Sequence, residues 1–278
     1  ADDGVNGSQL WKSDGTVWGT SKVTSMGLPE TYARLVLASD EKIWVTFGGV
    51  SQDSPLSVDT WASDGVNSFI KVADGYGPGD FTLASAVFND ELYFNADDNF
   101  HGNEIYKSDG TVAGTKILLD LNNTPELTLR FLVAGENKLF YSYRSFVSSG
   151  INIGVSDGSP DGTTIVKDFP GFTRTIYAPA SAHGNKVIFQ AADADHGNEP
   201  WVSDGTEAGT FMLADTRPGD ENVYTNLQGF TWVGDNAFFF SSNATLWVTD
   251  GTQEGTIALK EFDDPLQDAG FCMAFKGM

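Results

Sequence analysis

Three stretches of this chain crowd oxygen donors together. They are Ala1-Asp2-Asp3-Gly4-Val5-Asn6-Gly7, Ala96-Asp97-Asp98-Asn99-Phe100-His101-Gly102-Asn103-Glu104 and Ala192-Asp193-Ala194-Asp195-His196-Gly197-Asn198-Glu199. Closely spaced carboxylates, Asn side chains and backbone carbonyls opened by Gly suit a hard cation such as calcium, which takes about six to eight oxygens at flexible geometry. The candidate metal ligands are Asp2, Asp3, Asp97, Asp98, Glu104, Asp193, Asp195 and Glu199, and calcium is the one cofactor they suggest. The spacing is not that of an EF-hand, and Gln9 stands where the other stretches have Glu104 and Glu199, which weakens a first site. The competing reading is structural: each Asp caps a turn and each Glu bonds a neighbouring backbone.

Histidine is scarce, with only His101, His183 and His196, and the first and last occupy equivalent positions before Gly. A zinc site would need them to converge. Tyr76, Phe100, Phe172 and Tyr224 fall in loop-like stretches and could stack on sugar rings, with His101 and His196 beside them as further ligand-binding candidates. No Gly-x-Ser-x-Gly elbow, phosphate loop or metalloprotease helix motif is present, so no catalytic residue is assigned. Carboxylate pairs are abundant enough to keep a carbohydrate-active enzyme, a glycoside hydrolase or lyase, as the alternative.

The scaffold that must position these residues is a repeat. Trp11-Lys12-Ser13-Asp14-Gly15-Thr16-Val17-Trp18-Gly19-Thr20 returns as Tyr106 to Thr115, Trp201 to Thr210 and Trp247 to Thr256, and more weakly at Trp61 to Asn67 and Gly154 to Thr163. The marker aspartates Asp14, Asp64, Asp109, Asp157, Asp204 and Asp250 are separated by 50, 45, 48, 47 and 46 residues. Within the third unit four short β-type runs appear, Ala84 to Phe88, Glu91 to Asn95, Glu104 to Ser108 and Lys116 to Leu119. Asn89-Asp90 and Asp109-Gly110 punctuate them as tight hairpin turns. Four antiparallel strands make one blade, so the expected fold is all-β: a single six-bladed β-propeller over residues 1–278. The aromatic three residues before each marker (Trp11, Trp61, Tyr106, Trp201, Trp247, with Gly154 the exception) is expected to pack between blades.

The closing blade is expected to be shared by the N- and C-terminal segments. Asp250 to the end gives 28 residues and Asp14 adds 14, a few short of one repeat, so the parent polypeptide is expected to extend further or to have been cut there. Alternating strand direction puts the Asp-Gly turns on one face of the disc. The second-to-third strand and blade-to-blade loops, with the acidic stretches, lie on the other, where a rigid scaffold usually presents function.

Charge narrows the partners. With 16 basic against 38 acidic residues the net charge is -22, which repels phosphate backbones and anionic lipid, so nucleic acid is excluded as a partner. No apolar run is long enough for a bilayer helix, which argues against membrane insertion. One cysteine, Cys272, rules out an intrachain disulfide framework.

The unit Phe-x-Ala-x-Asp-x-x-x-Gly-x-Glu-Leu-Trp-x-Ser-Asp-Gly-Thr-x-x-Gly-Thr resembles the ELWxxDGT repeat family of bacterial secreted and surface proteins. The resemblance is closest at Phe94 to Thr115 and Phe189 to Thr210 and weakest in the second and fourth repeats. It implies a propeller and a secreted or cell-surface location, within a larger polypeptide or assembly, but supplies no catalytic residues to carry over. The functional expectation is a non-enzymatic extracellular binding or adhesion scaffold, calcium-stabilised, with a glycan or protein ligand on the loop-bearing face.

Overall fold

The computed structural model describes residues 11–22, 31–49, 57–64, 69–76, 84–97, 100–120, 128–144, 150–169, 180–193, 195–218, 227–241 and 244–262. The chain divides into two compact units, Ala1–Leu127 and Thr128–Met278. Among the described residues every regular element is a β-strand.

In the first unit, β1 (Trp11–Lys12) and β2 (Ser21–Lys22) form an antiparallel ribbon. Then β3 (Thr31–Ala38), β4 (Ile43–Gly49), β5 (Ser57–Ser63) and β6 (Ile70–Tyr76) form a four-stranded sheet in chain order. A second sheet follows from β7 (Ser85–Phe88), β8 (Glu91–Asp97), β9 (Asn103–Ser108) and β10 (Lys116–Leu119). These last bounds sit within two residues of the four runs legible in the sequence.

The second unit repeats the pattern three times. Its first sheet is β11 (Thr128–Ala134), β12 (Leu139–Arg144), β13 (Ile151–Ser156) and β14 (Thr164–Phe169). Its second is β15 (Ala180–His183), β16 (Lys186–Ala191), β17 (Glu199–Ser203) and β18 (Phe211–Met212). The third is β19 (Gln228–Val233), β20 (Asn236–Phe240), β21 (Thr245–Thr249) and β22 (Ile257–Glu261). Each strand pairs antiparallel with its sequence neighbour, the up-and-down pattern of a propeller blade.

Packing explains the apolar runs. Successive residues on a strand point to opposite faces. On β16, Val187, Phe189 and Ala191 join a core with Phe131, Phe140, Ile151, Ile153 and Phe169 of the preceding sheet, whereas Ile188 joins Phe230, Ala237 and Phe239 of the following one. The strand is apolar at consecutive positions because both faces are covered. In the first unit, Trp44, Ala62 and Val72 pack against Leu92, Phe94, Ala96 and Tyr106 in the same way. Each large side chain so buried contributes roughly 1.5–3 kcal/mol.

The aromatics before the markers behave as the repeat predicts in the four-stranded sheets where Tyr106 and Trp201 lie: both are in inter-sheet cores, and Trp201 meets Phe169 edge-on at 4.8 Å. Trp11 on the β1–β2 ribbon is 37% exposed. Gly154, the exception, is filled from across the sheet. Its partner in register is Tyr141, whose ring lies where a Gly154 side chain would be, and the Tyr141 hydroxyl donates to the Thr164 carbonyl at 3.2 Å.

The two expected kinds of hairpin differ. Asn89 and Asp90 have φ of 51° and 59°, a two-residue turn with Phe88 paired to Glu91, as expected. Asp109-Gly110 instead opens a seven-residue loop, because β9 ends at Ser108 and β10 starts at Lys116. Hydroxyls close it. In the fifth repeat, Asp204 Oδ1 accepts from the Thr206 amide at 2.8 Å and its hydroxyl at 2.7 Å, and the Gly205 amide donates to Ser203 Oγ at 3.0 Å. The Gly209 amide donates to Thr206 Oγ1 at 3.0 Å, the Thr210 hydroxyl donates to the Thr206 carbonyl at 2.6 Å, and the Ser203 and Thr210 hydroxyls lie 2.7 Å apart. The same bonds recur around Asp14, Asp109, Asp157 and Asp250, with Ser159 taking the threonine's part in the fourth repeat. Gly205 has φ of 85°, and a β-carbon at Gly209 would lie inside the Asp204 carboxylate, so both glycines are required.

In three of these repeats a lysine from the sheet before lies against the loop. Lys138, immediately before β12, donates to the Asp204 carbonyl at 2.6 Å. Lys186 and Lys42 lie against Gly251 and Gly110, and the Lys42 ammonium donates to the Asp90 carbonyl at 3.4 Å. Glu91 holds the equivalent register position on β8 and binds Lys107 of its own sheet at 2.9 Å instead.

Candidate functional site

The fullest view of an acidic stretch is in the fifth repeat, between β16 and β17. Asp193 Oδ1 accepts from the amides of Asp195 at 3.0 Å and His196 at 2.8 Å, and lies 2.8 Å from His196 Nδ1. Burial pushes the Asp193 carboxyl up, but the Asp195 amide, the His196 ring and the His196 amide together hold it below its usual range. The same contact with Asp193 raises the His196 imidazole. The bend is therefore an Asx turn clamped by an imidazole.

Glu199 starts β17 two residues before Trp201, so both side chains share one face and Glu199 is carried into the interior at 3% exposure. Its Oε2 accepts from the Thr216 amide at 2.8 Å and the Thr216 hydroxyl at 2.7 Å, which anchors the segment after β18. Burial raises its carboxyl, the Thr216 bonds oppose this, and Asp215 nearby adds to the rise. In the third repeat Glu104 occupies the matching place on β9 and is fully buried.

These placements sort the sequence candidates. Glu104 and Glu199 lie inside their sheets, Asp193 is folded back on its own loop, and Asp195 is exposed. Asp97 ends β8 opposite Asn103. Asp2, Asp3 and Asp98 lie outside the described residues. Among the described residues, no group of three His, Cys, Asp or Glu side chains is brought together in a way that could hold a metal ion.

Phe100 stands 90% exposed on the β8–β9 loop, with His101 exposed beside it. His196, its counterpart, is partly covered and engaged with Asp193. Tyr76 ends β6 opposite Ser57. Phe172 and Tyr224 lie outside the described residues. The third histidine, His183, stacks on Trp232 at 5.0 Å and lies 3.5 Å from Asp235, at the turn between β15 and β16. Two groups were missed in the sequence: the Thr216 partner of Glu199 and the lysine ties. The ties had a signal, since Lys42, Lys138 and Lys186 each stand at or one residue before the start of the second strand of a repeat.

No helix among the described residues is long and apolar enough to cross a membrane. Neither a protein-family model nor a curated protein matches the chain. Among solved structures, it is similar to a prolyl endopeptidase at 12% identity and a TM-score of 0.55, over 91% of this chain and 38% of that one. It is similar to the computationally designed Ika8 protein at 14% identity and a TM-score of 0.52, over 88% of this chain and 66% of that one. The β-propeller domain of the Trilobed protease from Pyrococcus furiosus aligns at 11% identity and a TM-score of 0.48, over 91% and 81%. The chain thus spans less than two thirds of the designed protein and of the endopeptidase, and at these identities the likeness is one of fold. With its successive up-and-down four-stranded sheets, the chain is all-β and propeller-like.

Proposed function

We propose that the chain closes as a six-bladed propeller, its closing blade shared by the N- and C-terminal segments, and serves outside the cell as a non-enzymatic binding or adhesion scaffold. The ligand, a glycan or a protein, sits on the face formed by the second-to-third strand and blade-to-blade loops. The observation that supports this is Phe100, a large apolar ring 90% exposed at the tip of such a loop. The buried acids that follow the acidic stretches of the third and fifth repeats, Glu104 and Glu199, are inside their own sheets, and the Glu199 carboxylate is bound by Thr216. An aromatic tip on a rigid sheet is suited to stacking on a sugar ring or filling a pocket in a partner.

The test is retention on a panel of immobilised polysaccharides, comparing the parent chain with Phe100→Ala, with and without millimolar calcium and with magnesium as the charge-screening control. Retention that Phe100→Ala abolishes at unchanged melting temperature is the expected result, and calcium-specific tightening would assign calcium to the acidic loops. Equal retention of both proteins would remove this loop from the ligand site, release of reducing ends would make the protein a glycosidase, and no retention at all would direct the search to protein ligands.

A further inference from the structure

Asp-Gly bonds are prone to isomerise in water, because glycine leaves the nitrogen after the aspartate unhindered. The glycine nitrogen attacks Cγ of the aspartate, forming an N–Cγ bond and expelling the carboxyl oxygen as water. Hydrolysis of the resulting succinimide returns the water, and cleavage at the Cα carbonyl leaves the backbone running through Cβ with a free α-carboxylate. Mass is unchanged, and no co-reactant besides water is needed. A strand-to-strand loop rebuilt this way would gain a backbone atom and lose its register.

This chain carries an Asp-Gly bond in every repeat. The loops of Asp14, Asp109, Asp157, Asp204 and Asp250 oppose each step of the reaction. The attacking nitrogen's hydrogen is held: Gly205 donates to Ser203 Oγ at 3.0 Å, Gly110 to Ser108 at 3.2 Å and Gly251 to Thr249 at 3.0 Å. The carboxylate is pinned in one orientation, since its Oδ1 takes both the amide and the hydroxyl of the residue after the glycine. The second glycine packs against the carboxylate, leaving it no side-chain bulk to turn against. The hydroxyl bond also favours the ionised carboxyl, the form that expels water poorly.

We propose that the Ser-Asp-Gly-Thr-x-x-Gly-Thr loop is a chemical lock that suppresses aspartate isomerisation, and that its hydroxyls, rather than the Asp-Gly pair, are what the repeat preserves for durability. The residue following Asp64-Gly65 is Val66, which has no hydroxyl to offer, so the second repeat is the internal contrast.

The experiment ages the folded chain at neutral pH, digests it, and measures isoaspartate in each Asp-Gly peptide by chromatographic splitting of isobaric peptides and by isoaspartyl methyltransferase labelling. Three chains are compared: the parent, Thr206→Val and Thr206→Ser. A urea-unfolded parent supplies the unprotected rate for the six marker bonds, the other Asp-Gly pairs at Asp3, Asp74 and Asp161 being scored separately. In the folded parent, isoaspartate is expected at Asp64 ahead of the five locked sites. Thr206→Val is expected to speed the reaction at Asp204 roughly tenfold or more, the factor that one hydrogen bond to a charged group is worth. Thr206→Ser, which copies the fourth repeat, is expected to keep the parent rate. Melting temperature is followed in parallel, and the other four sites of Thr206→Val report whether that chain remains folded. Equal rates at all six folded sites, or Asp204 ageing no faster in Thr206→Val than in Thr206→Ser, would overturn the proposal.

Discussion

Thr216→Val separates a buried carboxylate that holds the fold from one held ready for chemistry. In the parent chain Glu199 Oε2 has two donors from one residue, the Thr216 amide and hydroxyl. Valine keeps the shape and the amide and removes the 2.7 Å hydroxyl bond. A hydrogen bond to a charged group is worth about 1.5–3 kcal/mol, and Glu199, at 3% exposure, has no bulk water to replace it. For a unit of this size each kcal/mol moves the melting temperature by about 2–4 °C, so a fall of roughly 3–12 °C is expected by calorimetry near neutral pH. The charge is the cause, and a double-mutant cycle shows it. In a Glu199→Gln background the oxygen acceptor is neutral, and the same Thr216→Val change should cost only about 0.5–1.5 kcal/mol. The raised carboxyl of Glu199 fixes the pH behaviour. A folded pKa above the unfolded one means that the stability contributed by this group is present below the unfolded pKa of about 4.5 and lost as pH rises through the folded one. Glu199→Gln should therefore match the parent in acid and exceed it in stability at neutral pH. A loss for Thr216→Val within about 0.5 kcal/mol, the range of ordinary surface changes, or an equal loss in both backgrounds, would refute the assignment.

Two other outcomes follow from the same contacts. The marker aspartates Asp14, Asp109, Asp157, Asp204 and Asp250 are held below their usual 3.8, chiefly by the threonine or serine hydroxyl two residues on. Their contribution is complete above the unfolded pKa and lost as pH falls through the depressed folded values, so acid titration of ellipticity should show stability collapsing below about pH 4 with uptake of protons on unfolding. Phe189→Ala empties a site of 0% exposure shared with Phe131 and Phe169, and should cost about 3–5 kcal/mol in denaturant unfolding.

The β-sheet organisation was legible because it is repeated. Period-two patterning between turn residues placed β7 to β10 nearly to the residue, and Tyr106 and Trp201 took the packing role their position implied. Reading Asp-Gly as a two-residue hairpin turn failed, because the pair was judged without Thr111, Gly114 and Thr115. Those three residues make the bonds that lengthen the loop to seven. The acidic stretches stayed open between cation sites and local turn and backbone bonds because sequence proximity hides direction. Glu199 is the first residue of β17, every residue of which is buried, while Asp195 precedes the strand and stays outside. The Thr216 partner was beyond reach, since it comes from 17 residues on, after an intervening strand.

The closed loops also leave something open. Each spends its bonds on six of eight residues, and the two in the middle, Val17-Trp18, Val112-Ala113, Pro160-Asp161, Glu207-Ala208 and Gln253-Glu254, take no part through their side chains in that ring of hydroxyl and amide bonds. Val17, Trp18 and Val112 project at 84%, 96% and 64% exposure. Apart from Gln253, whose amide donates to the Met212 carbonyl at 2.9 Å, such pairs form an interchangeable display: a designer could rewrite these dipeptides and leave the ring of bonds beneath them unaltered, much as type is changed in a fixed forme.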